Sequence, residues 1–196
     1  MSQNLISLIQ FGRETRNVEF KTTYDWNNPQ HKAKIVKTIL GMSNVRDGGH
    51  LILGVEEIND SFIPRGMSQN DWDLLNQDDV MAHVNNFADP YVEFTVHKIQ
   101  HDGMLFVIFE IDEFKEIPVV CKRQGEQGLK QGTLFTRSRR MAETVAVPSQ
   151  SEMREILDIA IEKGVRKFQE RISRTGLIIQ SESTDENRFN AELEGL

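Results

Sequence analysis

Gly49-His50-Leu51-Ile52-Leu53-Gly54-Val55-Glu56-Glu57 is the stretch on which the fold turns. Side chains along a β-strand alternate between the two faces of its sheet, so a strand with one wet face alternates apolar with polar residues. Leu51 to Val55 does not alternate, which suits a strand buried on both faces.

The neighbouring segments fit this reading. Ahead of the strand, Ile35, Val36, Ile39, Leu40 and Met42 follow the 3.6-residue period with lysines on the other side, which predicts a helix from Gln30 to about Ser43. Asp47-Gly48-Gly49 stops it. Earlier still, Ile6, Leu8, Ile9 and Phe11 predict a short opening helix ended near Gly12, followed by a strand around Asn17 to Lys21. In that strand Val18 and Phe20 face the core, and Glu19 and Lys21 lie on the opposite, non-core face. Downstream, Ile58 to Gly66 reads as a turn. Asp71 is placed to cap one helix or two short ones through Trp72, Leu75, Val80, Val84 and Phe87. Val92 to His97 and Leu105 to Ile111 form a hairpin around Asp102-Gly103. Residues 118–121 and 133–136 predict two further strands joined by a mobile polar loop, Arg123 to Gly132. A long helix follows, capped by Ser149 or Ser151.

Composition narrows the class. A chain of 196 residues, 38% hydrophobic and 27% charged, accommodates one domain of 1–172 and an acidic, flexible tail of 173–196. Phe189, Leu193 and Leu196 lend that tail a faint amphipathic character. No apolar run approaches the roughly 20 residues of a membrane-spanning helix. The N-terminus lacks a secretory pattern and Cys121 is alone, so a cytoplasmic protein is expected. The net charge of −7 argues against coating nucleic acid by bulk electrostatics. The charge is uneven, however, because residues 174–196 hold two basic against five acidic side chains. A local basic patch remains open, and Arg137-Ser138-Arg139-Arg140 with Lys122 is the densest candidate.

Several motifs stand in a fixed order: Glu14 before Val18-Glu19-Phe20-Lys21, Asn44 at a helix end, Gly48-Gly49, the Gly-Val strand end with Glu56-Glu57, and Phe135-Thr136-Arg137 before the last helix. In this order they resemble the Schlafen-type AlbA domain family over roughly residues 11 to 160. The resemblance implies an α/β domain in the mixed α+β sense, with a mixed and antiparallel sheet and flanking helices; in related proteins two such domains often associate as a clamp around nucleic acid, and hence a homodimer is expected. In the family's ribonuclease branch it implies a divalent metal, Mg²⁺ or Mn²⁺, on three carboxylates that fall here on Glu14, Glu19 and Glu57. Such hard oxygen ligands suit those ions, and Lys21 beside them could neutralise charge developing on a phosphate. The family usually has Asp where this chain has Glu56 and Glu57, a difference of one methylene.

The residues themselves leave three readings open for this acidic run: a solvated strand face, a three-carboxylate metal site, or a nucleic-acid or nucleotide pocket without chemistry. Glu14 and Glu19 are five apart, so they converge only if the chain bends at Thr15 to Asn17. Gly48-Gly49 is either a phosphate-approaching turn or a helix stop and tight strand entry, the second being favoured. No Gly-x-x-x-x-Gly-Lys-Ser/Thr loop is present, so no ATP site is expected. Arg137, Arg139 and Arg140 would line a groove for a phosphate backbone or form a solvated run, and Phe135 would stack on a base or lie in the core. His97 and His101 form no metal pair. Cys121 reads as a small buried residue.

Three functions follow. The first is a nucleic-acid-binding protein acting as a metal-dependent endoribonuclease on tRNA or other structured RNA, with Glu14, Glu19, Lys21 and Glu57 as its catalytic set. The second is a non-catalytic DNA- or RNA-binding module or transcriptional regulator. The third is a protein-interaction component. A restriction-type Glu-x-Lys core is a remote fourth reading, since only Glu14 precedes the pair and stands too close.

Overall fold

The computed structural model describes residues 2–175. Its centre is a four-stranded sheet built from β1 (Val18–Lys21), β2 (Gly49–Leu53), β6 (Phe94–His101) and β7 (Met104–Ile111), in the order β1-β2-β7-β6. β1 and β2 run parallel, while β2–β7 and β7–β6 are antiparallel. The class is mixed α+β, as the sequence predicts.

A helix covers each face, which is why the central strand is apolar throughout. Helix α2 (Pro29–Ser43) packs Ile35, Val36, Ile39 and Leu40 against Leu51, Leu53, Val107 and Phe109. On the other face, α1 (Ser2–Ile9) sets Leu5 and Ile9 against Val18, Phe20, Ile52, Phe106 and Ile108. Each such side chain contributes about 1.5–3 kcal/mol by leaving water. Asn28 caps α2, its side chain accepting from the N–H groups of Gln30 and His31, and Pro29 opens the helix. Asn44 ends it. Its buried Nδ2 donates to the carbonyls of Val119 (2.8 Å) and Phe135 (2.9 Å), and its Oδ1 accepts from Val119 N, tying α2 to two later segments.

Several boundaries differ from the sequence reading. The expected strand through Val55 breaks at Gly54 (φ 105°), where a Cβ would lie 2.7 Å from the Phe106 ring. The chain then forms a hairpin of β3 (Val55–Ile58) and β4 (Ser61–Pro64), where a simple turn was expected. Asn59 and Asp60 both have positive φ, as a two-residue primed turn requires. The next helix splits into α3 (Gln69–Leu74) and α4 (Gln77–Asn85), capped by Ser68 and Asn76; Asp71 is the residue whose N–H Ser68 receives.

β5 (Ala88–Asp89) pairs with β8 (Val120–Cys121), and β9 (Phe135–Arg137) with β10 (Thr144–Ala146). The loop expected to be mobile is pinned by the buried Leu129 and by Gly125 N donating to Leu129 O. Helix α5 (Gln150–Arg174) starts after Ser149, whose Oγ accepts from Glu152 N while the Glu152 carboxylate accepts from that hydroxyl. The chain divides into a compact unit of residues 1–160 and a second of 161–196. The acidic tail lies, from residue 176, outside the described residues. None of the described helices is long and apolar enough to cross a membrane.

Candidate functional site

The bend demanded of Thr15 to Asn17 is present. Thr15 and Val18 exchange backbone hydrogen bonds (3.0 and 3.3 Å), which turns the chain so that Glu14 Oε1 accepts from Phe20 N at 2.9 Å. Lys21 Nζ then lies 3.1 Å from Glu19 and 3.5 Å from Glu14, and donates to the Phe20 carbonyl. Glu14, Glu19 and Lys21 thus form one ionic group at the sheet edge.

Glu19 is not on a solvated face. The face of β1 opposite Val18 and Phe20 is roofed by α2 and the β9–β10 hairpin, leaving Glu19 only 7% exposed. Arg137, from β9, is fully buried and donates through one terminal nitrogen to Glu19 Oε2 at 2.5 Å. Its remaining donors meet the carbonyls of Arg16 (3.2 Å) and Ala142 (2.8 Å), and Thr38 Oγ1 also reaches Glu19. Burial pulls the Arg137 pKa down from its ordinary value, and Glu19 followed by Glu14 opposes that pull. A buried charge persists only when paired and hydrogen-bonded, and both conditions are met. Arg137 is therefore a structural keystone and does not line a phosphate groove.

These residues do not fit a divalent cation. Glu19 spends its oxygens on Arg137, Lys21 and Thr38, and Glu14 spends one on Phe20 N and Lys21. Glu57 stands exposed on the β3–β4 hairpin. It pairs in register with Phe62, whose ring packs 5.1 Å from that of Phe20, on the face of β1 that Glu19 turns away from. Among the described residues no group of three His, Cys, Asp or Glu side chains could hold a metal ion.

The other singled-out residues separate. Arg139 and Arg140, with Thr15, Arg16 and Met141, line a shallow groove of about 600 Å³, where Arg139 pairs with Glu155 at 3.2 Å. Glu155 is also held by Arg16 at 2.5 and 2.8 Å, and these bonds keep its carboxyl below the ordinary value. Lys122 sits over the exposed ring of Tyr91, 5.1 Å from its centroid. Phe135 is core, and Cys121 is buried with its thiol pKa raised by that burial. Gly48 has φ 64°, and a Cβ there would strike Ile111 O at 1.9 Å, so Gly48-Gly49 serves a tight strand entry.

A cleft missed by the sequence reading lies beside this ionic group. About 490 Å³ in volume, it is lined by Glu19, Lys21, Thr22, Thr23, His31, Lys34, Lys37 and Thr38, with Gln127 from the pinned loop. His31, Lys34 and Thr38 share one face of α2, with Lys37 beside them, since residues three and four apart are neighbours on a helix. His31 Nδ1 accepts from Asp25 N at 3.1 Å, so the neutral ring carries its proton on Nε2. The floor is Tyr24, whose phenol burial raises well above its ordinary pKa, with Glu19 and Glu14 adding to that effect. The available signal was the row of lysines on the polar side of α2; what hid the cleft was that β1 and the 122–132 loop supply its other walls.

No curated protein matches the chain. Among solved structures, the DIP2311 protein from Corynebacterium diphtheriae aligns at 16% identity with a TM-score of 0.48, covering 79% of this chain and 28% of its own. The chain thus spans little more than a quarter of that protein's length. The N-terminal domain of a protein named as related to the DNA helicase RecG, from Nitrosomonas europaea, aligns at 18% identity with a TM-score of 0.44, covering 71% of this chain and 92% of its own. A family model matches residues 14–146, from the glutamate before β1 to the end of β10, and on that match the chain belongs to the family described as Schlafen, AlbA_2.

Proposed function

We propose that this chain is a non-catalytic nucleic-acid-binding module that takes a phosphate backbone into the cleft beside α2. One observation carries the reading: Lys34 and Lys37 converge on a cleft whose single lining carboxylate, Glu19, is already neutralised by the buried Arg137, with Lys21 paired beside it. The cleft is therefore cationic within a chain of net charge −7. Lysine ammonium groups and threonine hydroxyls contact phosphate without reading base edges, so binding is positional and insensitive to sequence. Membership of the family, with its implied nucleic-acid partner, supports the same reading.

The test is a titration of tRNA, duplex DNA and single-stranded DNA across a salt series, with Mg²⁺, Mn²⁺ or EDTA. Binding is expected to survive EDTA, and Lys34→Ala and Lys37→Ala should each reduce the salt slope by about 1. Metal-dependent cutting abolished by Glu57→Ala would overturn the reading in favour of an endoribonuclease. Affinity indifferent to both lysines would remove the cleft from it.

A further inference from the structure

The 122–132 loop leads from the cleft to a second group of side chains. Gln127 lines the cleft, while the loop's first residues lie against two aromatic rings: the Arg123 guanidinium over Phe87 at 5.9 Å and the Lys122 ammonium over Tyr91 at 5.1 Å. Gln127 follows Lys122 by five positions, so the two stand no more than about 18 Å apart. Residues 122–132 carry three cations against one carboxylate, Glu126. The loop is therefore a cationic bridge between the cleft and Tyr91. Tyr91 is 75% exposed, more than any other large hydrophobic side chain among the described residues. Its backbone is nevertheless held on both sides. Asp89 pairs with Val120, and the Asn85 side chain accepts from Val92 N at 2.8 Å and donates to Val92 O at 3.2 Å. An exposed ring on a fixed backbone loses little freedom when a flat group stacks on it. Tyr91 also borders a hollow of about 320 Å³ with Asp47, Glu93, Asp112 and Glu113, where Lys115 pairs with Glu93 alone; that hollow repels phosphate and ends the cationic run.

We infer that Tyr91 and Lys122 form a base-stacking step for a single-stranded nucleic acid whose phosphates also occupy the cleft beside α2. The inference rests on the cleft's proposed role and adds the state of the strand. A duplex keeps the faces of its bases inside the stack, whereas an unpaired strand can lay one on an aromatic ring. Tyr91 takes the face of that base, and Lys122, beside the ring, takes the adjoining phosphate. Every base has such a face, so the step selects unpaired strands over duplexes without selecting a sequence.

The test measures binding of the full chain to a thymidine oligonucleotide of about 12 nucleotides, to an abasic strand of the same length and to a duplex. Tyr91→Ala should weaken the thymidine strand about five-fold or more, the effect of one stacked base, and leave the abasic strand, the duplex and the melting temperature unchanged. Tyr91→Phe keeps the ring and should bind as wild type does. Lys122→Ala should lower the salt slope for the single strand by about 0.7. A Tyr91→Ala chain that binds the thymidine strand as wild type does, while Lys34→Ala still weakens it, overturns the stacking step and leaves the cleft standing. Loss at Tyr91 with indifference to Lys34→Ala and Lys37→Ala overturns the cleft and leaves the stacking step standing. Equal losses on the thymidine and abasic strands overturn the stacking step, since no base is then involved.

Discussion

Glu19 and Glu57 invite comparison, because the motif order groups them and the tertiary structure gives them opposite surroundings. Glu19 lies under α2 with Arg137 against one oxygen and Lys21 against the other. Glu57 stands on a two-stranded hairpin with its side chain in solvent. The same carboxylate is thus a structural anchor in one place and an exposed charge in the other. A motif fixes which residue type occurs, while the layers above and below it decide what that residue can do.

The sharpest way to break this contrast is Arg137→Ala. Removing one partner of a buried pair strands the other charge, which costs about 3–5 kcal/mol. Chemical denaturation should show that loss, and an equal loss for Glu57→Ala would erase the distinction. Next in size is the half-buried Glu155, gripped by Arg16 through two bonds. Glu155→Gln should cost about 1.5–3 kcal/mol near neutral pH. Because the Glu155 carboxyl is held below its ordinary value, its contribution is complete above the usual carboxylate range and fades as pH falls through it. The stability difference between wild type and variant should therefore shrink on acidification, as denaturation at a series of pH values would reveal. Smallest is Glu57→Ala itself, within about 0.5 kcal/mol as for exposed positions in general. For binding the order changes: Lys34→Ala and Lys37→Ala should weaken nucleic-acid affinity with melting temperature unaltered, separating the cleft from its anchor.

The fold was legible where one strand or helix carries its own signal. Leu51-Ile52-Leu53 announced a doubly covered strand, Asp102-Gly103 a hairpin, and the Ile35 to Met42 period a helix. The hairpin at Asn59-Asp60 was less legible, because Val55-Glu56-Glu57-Ile58 and Ser61-Phe62-Ile63-Pro64 do not alternate and only the two residues that tolerate positive φ mark its turn. The short pairings β5–β8 and β9–β10 were not legible, since two or three residues carry no period.

By itself, the sequence determined the doubly covered strand, the hairpin at Asp102-Gly103 and the row of cations on α2; it posed the bend before β1 as a condition and favoured, without deciding, the entry role of Gly48-Gly49. Only the tertiary structure decided that Glu19 is buried, that Arg137 is its counter-ion from 118 residues away, and that Glu57 points elsewhere. The reason is physical. Periodicity and turn chemistry are local and are written in neighbouring residues, whereas the burial of a charge depends on which distant segments cover it, and the stability of that burial on whether one of them brings the opposite charge.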